Sequence, residues 1–288
     1  MCLVPADVPV NKQEQFKKNY IALTKGTDNL FLFTGDQKIE LLNTISPEDF
    51  FVLASSPYIG SFATHLGLIA RYGKQFPKIN YVAKLNGKTN LIPVAQRDPL
   101  SLCMWDIDQV VALQEESKLP ICGVGYTIYL GSEYESQMLK EAAQIVHRAH
   151  QEGLIAILWM YPRGKAVRDE LNGHLIAGAA GVAACLGADF AKIKVPHATE
   201  KETVLELLQE AVHAAGNTKV ICAGGEKQEP EQFLKDLHSF LTISKISGGA
   251  VGRNIYQHDF KKALLMAQAI EALIYKKASL EEVLYIIK

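Results

Sequence analysis

The sequence predicts an α/β protein, a (β/α)8 TIM barrel, and three observations carry that prediction. Short apolar, β-rich runs alternate with longer stretches of helical period, the pattern of a parallel sheet covered on both faces. Eight such runs fit into 288 residues, and a barrel of this kind uses roughly 250 residues as one unit. No Pro/Gly/Ser-rich linker or charge block divides the chain, and neither GxGxxG nor GxxxxGK[ST] occurs, which disfavours an open dinucleotide-binding sheet or a P-loop fold. The expectation is one barrel domain over 1–288, with 1–28 as an N-terminal lead-in.

The elements follow in order. NLFLFTG (29–35), FFVLA (50–54), INYVAKL (79–85) and ICGVGYTIY (121–129) are the first four strand candidates. Residues 136–150 place Met138, Ala142, Ile145, Val146 and Ala149 at helical spacing, and Gly153 stops the helix. LIAILWMY (154–161) reads as a buried strand. A helix from Leu175 to Leu186 ends at Gly187, and ADFAKIKV (188–195) is the next strand. Thr199 and Glu202 have capping-box spacing ahead of an amphipathic helix. KVICA (219–223) follows, then a helix that Pro230 suits as its first residue. ISKISGGAVG (243–252) is the last strand, and helices near 258–276 and 280–287 close the chain.

Composition narrows the function. Hydrophobic residues make up 48% and charged residues 21%, and the net charge is −1. That balance argues against a nucleic-acid or anionic-membrane binder without excluding a local positive pocket. No run of ~18 apolar residues suggests a membrane span, and the first residues lack a signal-peptide pattern. The five cysteines are scattered and read as reduced, buried thiols, so a cytoplasmic protein is expected. His147 and His150 lie three apart on one helix and read as a surface face. No metal site can be assembled from the histidines and cysteines, and no cofactor is called for.

In a barrel the chemistry lies at the carboxyl ends of the strands. In AKIKVP, Lys192 and Lys194 alternate with Ala191, Ile193 and Val195, so period two turns both lysines toward the barrel axis. A lysine buried there loses basicity and becomes a free amine able to attack a carbonyl. The competing reading is a strand-mouth pair that binds phosphate or acids, and spacing alone does not choose between them. Trp159 and Tyr161 share the inward face of the preceding strand. Tyr161 is placed to move a proton, with cationic neighbours favouring its phenolate, or both rings are plain core aromatics. Arg163 is a candidate phosphate ligand. Asp36 ends the first strand, where it either serves the chemistry or makes a turn with Gly35. Gly224 and Gly225 with Lys227, then Gly248, Gly249, Gly252 and Arg253, fall in the loops and strand ends where barrels cradle phosphate.

These segments resemble the archaeal-type class I fructose-1,6-bisphosphate aldolases, the DhnA/FbaB family. The matching motifs are GDQKIE (35–40), KLNGKTN (84–90), YLGSEYE (129–135), WMYPRG (159–164), LGADFAKIK (186–194), AGGEK (223–227) and SGGAVGRNIYQ (247–257), in the family's order. The resemblance implies a barrel with metal-free Schiff-base catalysis. It implies Lys192, rather than Lys194, as the Schiff-base lysine and Tyr161 as the proton-transfer group, with Trp159 and Asp36 beside them. It implies phosphate contacts at Arg163, Gly224, Gly225, Gly252 and Arg253. Many members read DHGxEH at strand 1; here Gln37 and Leu41 replace both histidines. Those positions lie near the substrate's far end, so the phosphoketose itself stays open. The expected reaction is reversible cleavage of fructose 1,6-bisphosphate to dihydroxyacetone phosphate and glyceraldehyde 3-phosphate, in a glycolytic and gluconeogenic setting. The alternatives are another Schiff-base aldolase, transaldolase or acyltransferase, or a phosphosugar-binding barrel without catalysis. A phosphosugar partner and a homo-oligomer are implied, and neither nucleic acid nor membrane.

Overall fold

The structure is a computed structural model and describes residues 3–40, 45–91 and 98–288. Leu41, expected at the altered strand-1 motif, and Cys2 lie outside the described residues. Eight parallel strands close into a barrel in sequence order: β1 (Leu30–Thr34), β2 (Ser61–His65), β3 (Tyr81–Lys84), β4 (Ile121–Leu130), β5 (Ile155–Pro162), β6 (Phe190–Ile193), β7 (Lys219–Ala223) and β8 (Gly248–Val251). The helices are α1 (Gln13–Thr24), α2 (Gln37–Glu40), α3 (Pro47–Ala54), α4 (Leu66–Tyr72), α5 (Ile107–Ser117), α6 (Glu135–Gln151), α7 (Gly173–Cys185), α8 (Val204–Ala215), α9 (Pro230–Thr242), α10 (Arg253–Tyr256), α11 (Phe260–Lys276) and α12 (Leu280–Ile286). The predicted (β/α)8 architecture is therefore observed.

Period two sorts the core into two layers. Leu32, Ala63, Val82, Ile157, Phe190 and Ile221 pack inside the barrel. Phe33, Phe62, Ala83, Leu158, Ile193 and Val220 face the helices. Phe16, Tyr20 and Leu23 of α1 join the inner layer. The Asn19 side chain donates to the Gly153 carbonyl just ahead of β5, and the Asn80 side chain ahead of β3 donates to the Ala22 carbonyl. The lead-in therefore closes the amino-terminal end and leaves the carboxyl end open.

Some expectations fail for physical reasons. FFVLA is not a strand but the body of α3: Ser46 accepts from the Glu48 amide, Pro47 opens the helix and Glu48 and Asp49 fill its first turn. The second strand is SFATH, whose small inward residues Ser61 and Ala63 gave no apolar run. The capping box before α8 is Thr203 with Glu206, while Thr199 accepts from the Lys201 and Glu202 amides in the turn ahead of it. The last strand begins only at Gly248. His150 is buried rather than on a surface face, bonded to Asp7 at 2.8 Å and Asp189 at 3.3 Å. Among the cysteines, Cys122 and Cys222 are buried as expected, but Cys185 is exposed.

Candidate active site

β6 sets the first side chain. Ala191 and Ile193 belong to the outer layer, which turns Lys192 inward, where it is only 3% exposed. Its register partner on β5 is Trp159, and the ammonium nitrogen sits 4.9 Å from the centre of that indole. Burial lowers the Lys192 pKa; Asp36 and Glu40 oppose the fall and Arg253 adds to it. The group thus moves toward the nucleophilic free amine. Lys194 was expected to share this inward position. It lies one residue beyond the strand, still on the cavity wall, where it pairs with Glu170.

A second buried lysine escaped the sequence reading. Lys84, 1% exposed at the end of β3, places Nζ 2.7 Å from the Asn86 carbonyl and 2.6 Å from its Oδ1. It lies 5.3 Å from the same Trp159 ring. Between them on β4, Gly125 is obligatory: a Cβ there would come within 2.3 Å of the indole and 3.2 Å of the Lys84 stem. Burial brings Lys84 down to about 8, with Asp36 and Glu40 pulling the other way. His65, inward on β2, falls to about 4 through burial and the Lys84 charge, and its Nδ1 pairs with the Lys84 carbonyl at 3.1 Å. The period-two inward positions of β2 and β3 were the available signal for both.

A cavity of about 600 Å³ opens at the carboxyl end. Lys192, Tyr161, Arg163, Lys194, Gly224, Gly225, Gly249, Gly252 and Arg253 line it, together with Gln37 of the altered strand-1 motif and Tyr129, to which no role was assigned from sequence. Asp36 and Trp159 are buried behind that lining, and Asp36 Oδ1 and Trp159 Nε1 have no hydrogen-bond partner among the described residues. Lys227 is not brought in; its ammonium bonds the Gln257 carbonyl at 2.9 Å. Gly249 faces outward, where a Cβ would meet Leu237 and Ile274.

The expectation of a stabilised Tyr161 phenolate is overturned. Burial first, then the charges of Glu40 and Asp36, push this phenol well above its ordinary value. Glu40 is itself raised by burial and Asp36. On the β7–β8 side, Gly224 spends its amide on the Ala250 carbonyl, and Gly225 adopts φ +67°. Gly252 has room for no side chain, since a Cβ would lie 2.6 Å from Thr34 Oγ1. Gln37 is held by the Tyr256 hydroxyl, which donates to its Oε1 at 2.8 Å. Among the described residues, the one His/Glu grouping with converging ligand atoms is His174, Glu202 and Glu210, none of which lines the cavity.

The arrangement presents one nucleophilic amine, a neutral phenol and cations at two sides of a solvent-open barrel mouth, which suits Schiff-base chemistry on a phosphorylated carbonyl compound. The comparisons agree with that chemistry. The chain is 51% identical to a protein of Methanocaldococcus jannaschii described as fructose-bisphosphate aldolase/6-deoxy-5-ketofructose 1-phosphate synthase, covering 98% of this chain and 93% of that one. It superposes on the structure of a fructose-bisphosphate aldolase from Slackia heliotrinireducens with a TM-score of 0.97 and 45% identity, over 100% and 94% of the two chains. An archaeal fructose-1,6-bisphosphate aldolase, with its catalytic lysine covalently bound to the substrate's carbinolamine intermediate, superposes with a TM-score of 0.77 at 29% identity, over 90% and 99%. The family model for DeoC/LacD aldolases matches residues 27–258, and the chain belongs to that family of aldolases.

Proposed function

We propose that this aldolase is a class I, Schiff-base fructose-bisphosphate aldolase with Lys192 as its nucleophile. The observation that carries the reading is a buried lysine of lowered basicity at the floor of a cavity with arginines on two sides. The neutral Lys192 amine adds to the C2 ketone, and loss of water gives an iminium ion. Breaking C3–C4 sends its electron pair into the iminium, leaving an enamine and releasing glyceraldehyde 3-phosphate. The C4-hydroxyl proton passes to Tyr161 as that phenol hands its own to the carboxylates behind it, Asp36 and Glu40. Tyr161 then gives a proton to the enamine at C3 and recovers its own from the carboxylates, and hydrolysis of the resulting iminium releases dihydroxyacetone phosphate and the free amine. Trp159 supports the cationic nitrogen through its ring face. Gly225, Gly252 and Arg253 hold the C1 phosphate, and remote binding of this kind keeps the reacting carbon over the amine.

The same lysine serves a second reading, formation of a 6-deoxy-5-ketofructose 1-phosphate, favoured by the double description of the 51% identical relative. The setting we assign is a cytoplasmic homo-oligomer in the synthesis and breakdown of hexose phosphates. No described helix is long and apolar enough to cross a membrane.

Borohydride reduction in the presence of dihydroxyacetone phosphate, followed by peptide mass mapping, tests the nucleophile. The expected adduct is on Lys192. An adduct on Lys194 or Lys84 instead, or none, would overturn the assignment.

A further inference from the structure

The cations on the two sides of the cavity keep different company. Arg253, on the β8 side, has a buried Nε with no hydrogen-bond partner among the described residues. Its ion-pair partner is Glu226, 3.6 Å away and 89% exposed. On the β5–β6 side, Arg163 and Lys194 converge on a single carboxylate. Arg163 donates from Nε to Glu170 Oε1 at 2.7 Å and from a terminal nitrogen to Oε2 at 2.8 Å, and Lys194 donates to the same Oε2 at 2.5 Å. A forked guanidinium and an ammonium gathered on adjacent oxygens are the donors a phosphoryl group requires. Glu170 therefore occupies the position of an anion that the cavity could otherwise take from its ligand.

We propose that Glu170 is a specificity-determining residue, an internal stand-in for a phosphate on the half of the substrate that leaves as the aldehyde. The inference rests on the aldolase reading. When that half carries no phosphate, Glu170 satisfies Arg163 and Lys194, so an uncharged aldehyde meets no unpaired cations. When it carries phosphate, the carboxylate yields its donors to it. Glu170 sits in the loop between β5 and α7 with its side chain 35% exposed, so it has solvent to move into. The Tyr129 ring, 5.7 Å from the guanidinium carbon, keeps Arg163 in place during the exchange. The β8-side phosphate is common to both substrate classes, which explains why Arg253 has the loose, exposed Glu226 at 3.6 Å while Arg163 and Lys194 share a closely bonded carboxylate. Burial raises the Glu170 carboxyl but the bonds to Arg163 and Lys194 override it and hold it below the ordinary range, so it remains a charged competitor.

The test compares the wild type with Glu170→Gln on fructose 1,6-bisphosphate and on fructose 1-phosphate. The ratio of kcat/KM for the bisphosphate over the monophosphate is expected to rise about tenfold in the variant, the size of one weakened charge-assisted contact, with KM for the bisphosphate carrying the change. An unchanged or lower ratio overturns the proposal. If the wild type cleaves neither sugar, the aldolase reading itself fails, and inorganic phosphate then decides the role of Glu170. Titration calorimetry should show phosphate bound about tenfold more tightly by Glu170→Gln than by the wild type. Adding Arg163→Met should remove the gain. Matching isotherms for the wild type and Glu170→Gln overturn the proposal.

Discussion

The two halves of the barrel contribute unlike things to the site. From β5 onward the chain supplies most of the cavity wall, including Tyr161, Arg163, Lys192, Gly225 and Arg253; before β5, only Gln37, Glu40 and Tyr129 reach the lining among the described residues. The first half instead builds a closed polar layer behind the wall. Asp36, His65, Lys84 and Thr127 are all buried there, and Asp36 Oδ1, His65 Nε2 and Thr127 Oγ1 lack partners among the described residues. In the proposed reaction the open half would touch the substrate, and the closed half would set the potential in which it runs. Low local dielectric gives charges in that closed layer a long reach.

Removing the proposed proton carrier, Tyr161, from the open half is the most severe way to probe this division. Tyr161→Phe should lower kcat roughly 10²–10⁴-fold, the usual span for a positioned general acid–base. Borohydride trapping at Lys192 should persist, because amine addition does not need the phenol. Steady-state rates and trapping on one preparation check this, and loss of trapping would mean that Tyr161 supports the fold of the site rather than its proton traffic.

Gly125→Ala probes the seam between the halves. The new methyl would press into Trp159 and the Lys84 stem. Overpacking of this kind costs about 1–3 kcal/mol, so chemical denaturation should show a loss of that size. Indole fluorescence should change with it, and kcat should fall on the order of tenfold as Trp159 shifts beneath Lys192. A variant with wild-type stability and fluorescence would show that the seam has slack the structure does not display.

The difference between the halves also governs what can be read from sequence. In the second half, helix stops at Gly153 and Gly187 and the start at Pro230 frame apolar strands, so β5, β6 and β7 sit where the alternation predicts them. In the first half, the apolar content of FFVLA outweighed the Ser-Pro-Glu-Asp start signal of a helix, and SFATH was too small and polar to register as a strand. The site follows the same line. Lys192, Trp159 and Tyr161 lie on one inward face that period two identifies. Lys84 has the same inward parity but reads as an isolated charge until Gly125 brings it against the indole. Glu170 sits in a loop without periodicity, and its role depends on three side chains meeting in space.

Lys84→Met gives the smallest effect and tests the closed half most directly. Lys84 is charged below its pKa of about 8, and its positive charge disfavours protonation of His65. By the same Coulombic sign it disfavours a second ammonium on Lys192, which shares the Trp159 ring. The Lys192 amine attacks only when deprotonated, so kcat/KM rises with pH through the Lys192 pKa. The two ammoniums disfavour one another, since Lys192 lowers the Lys84 pKa, so removing the Lys84 charge should move the rising limb toward higher pH. The gap between variant and wild type should close above pH 8, where Lys84 is itself neutral. A structural role in holding Asn86 would lower activity evenly at every pH. Lys84→Arg, which keeps the charge, should return the limb to its wild-type position. An even loss in Lys84→Met, or an upward shift that Lys84→Arg fails to reverse, would assign Lys84 to packing and deny the closed half its electrostatic part.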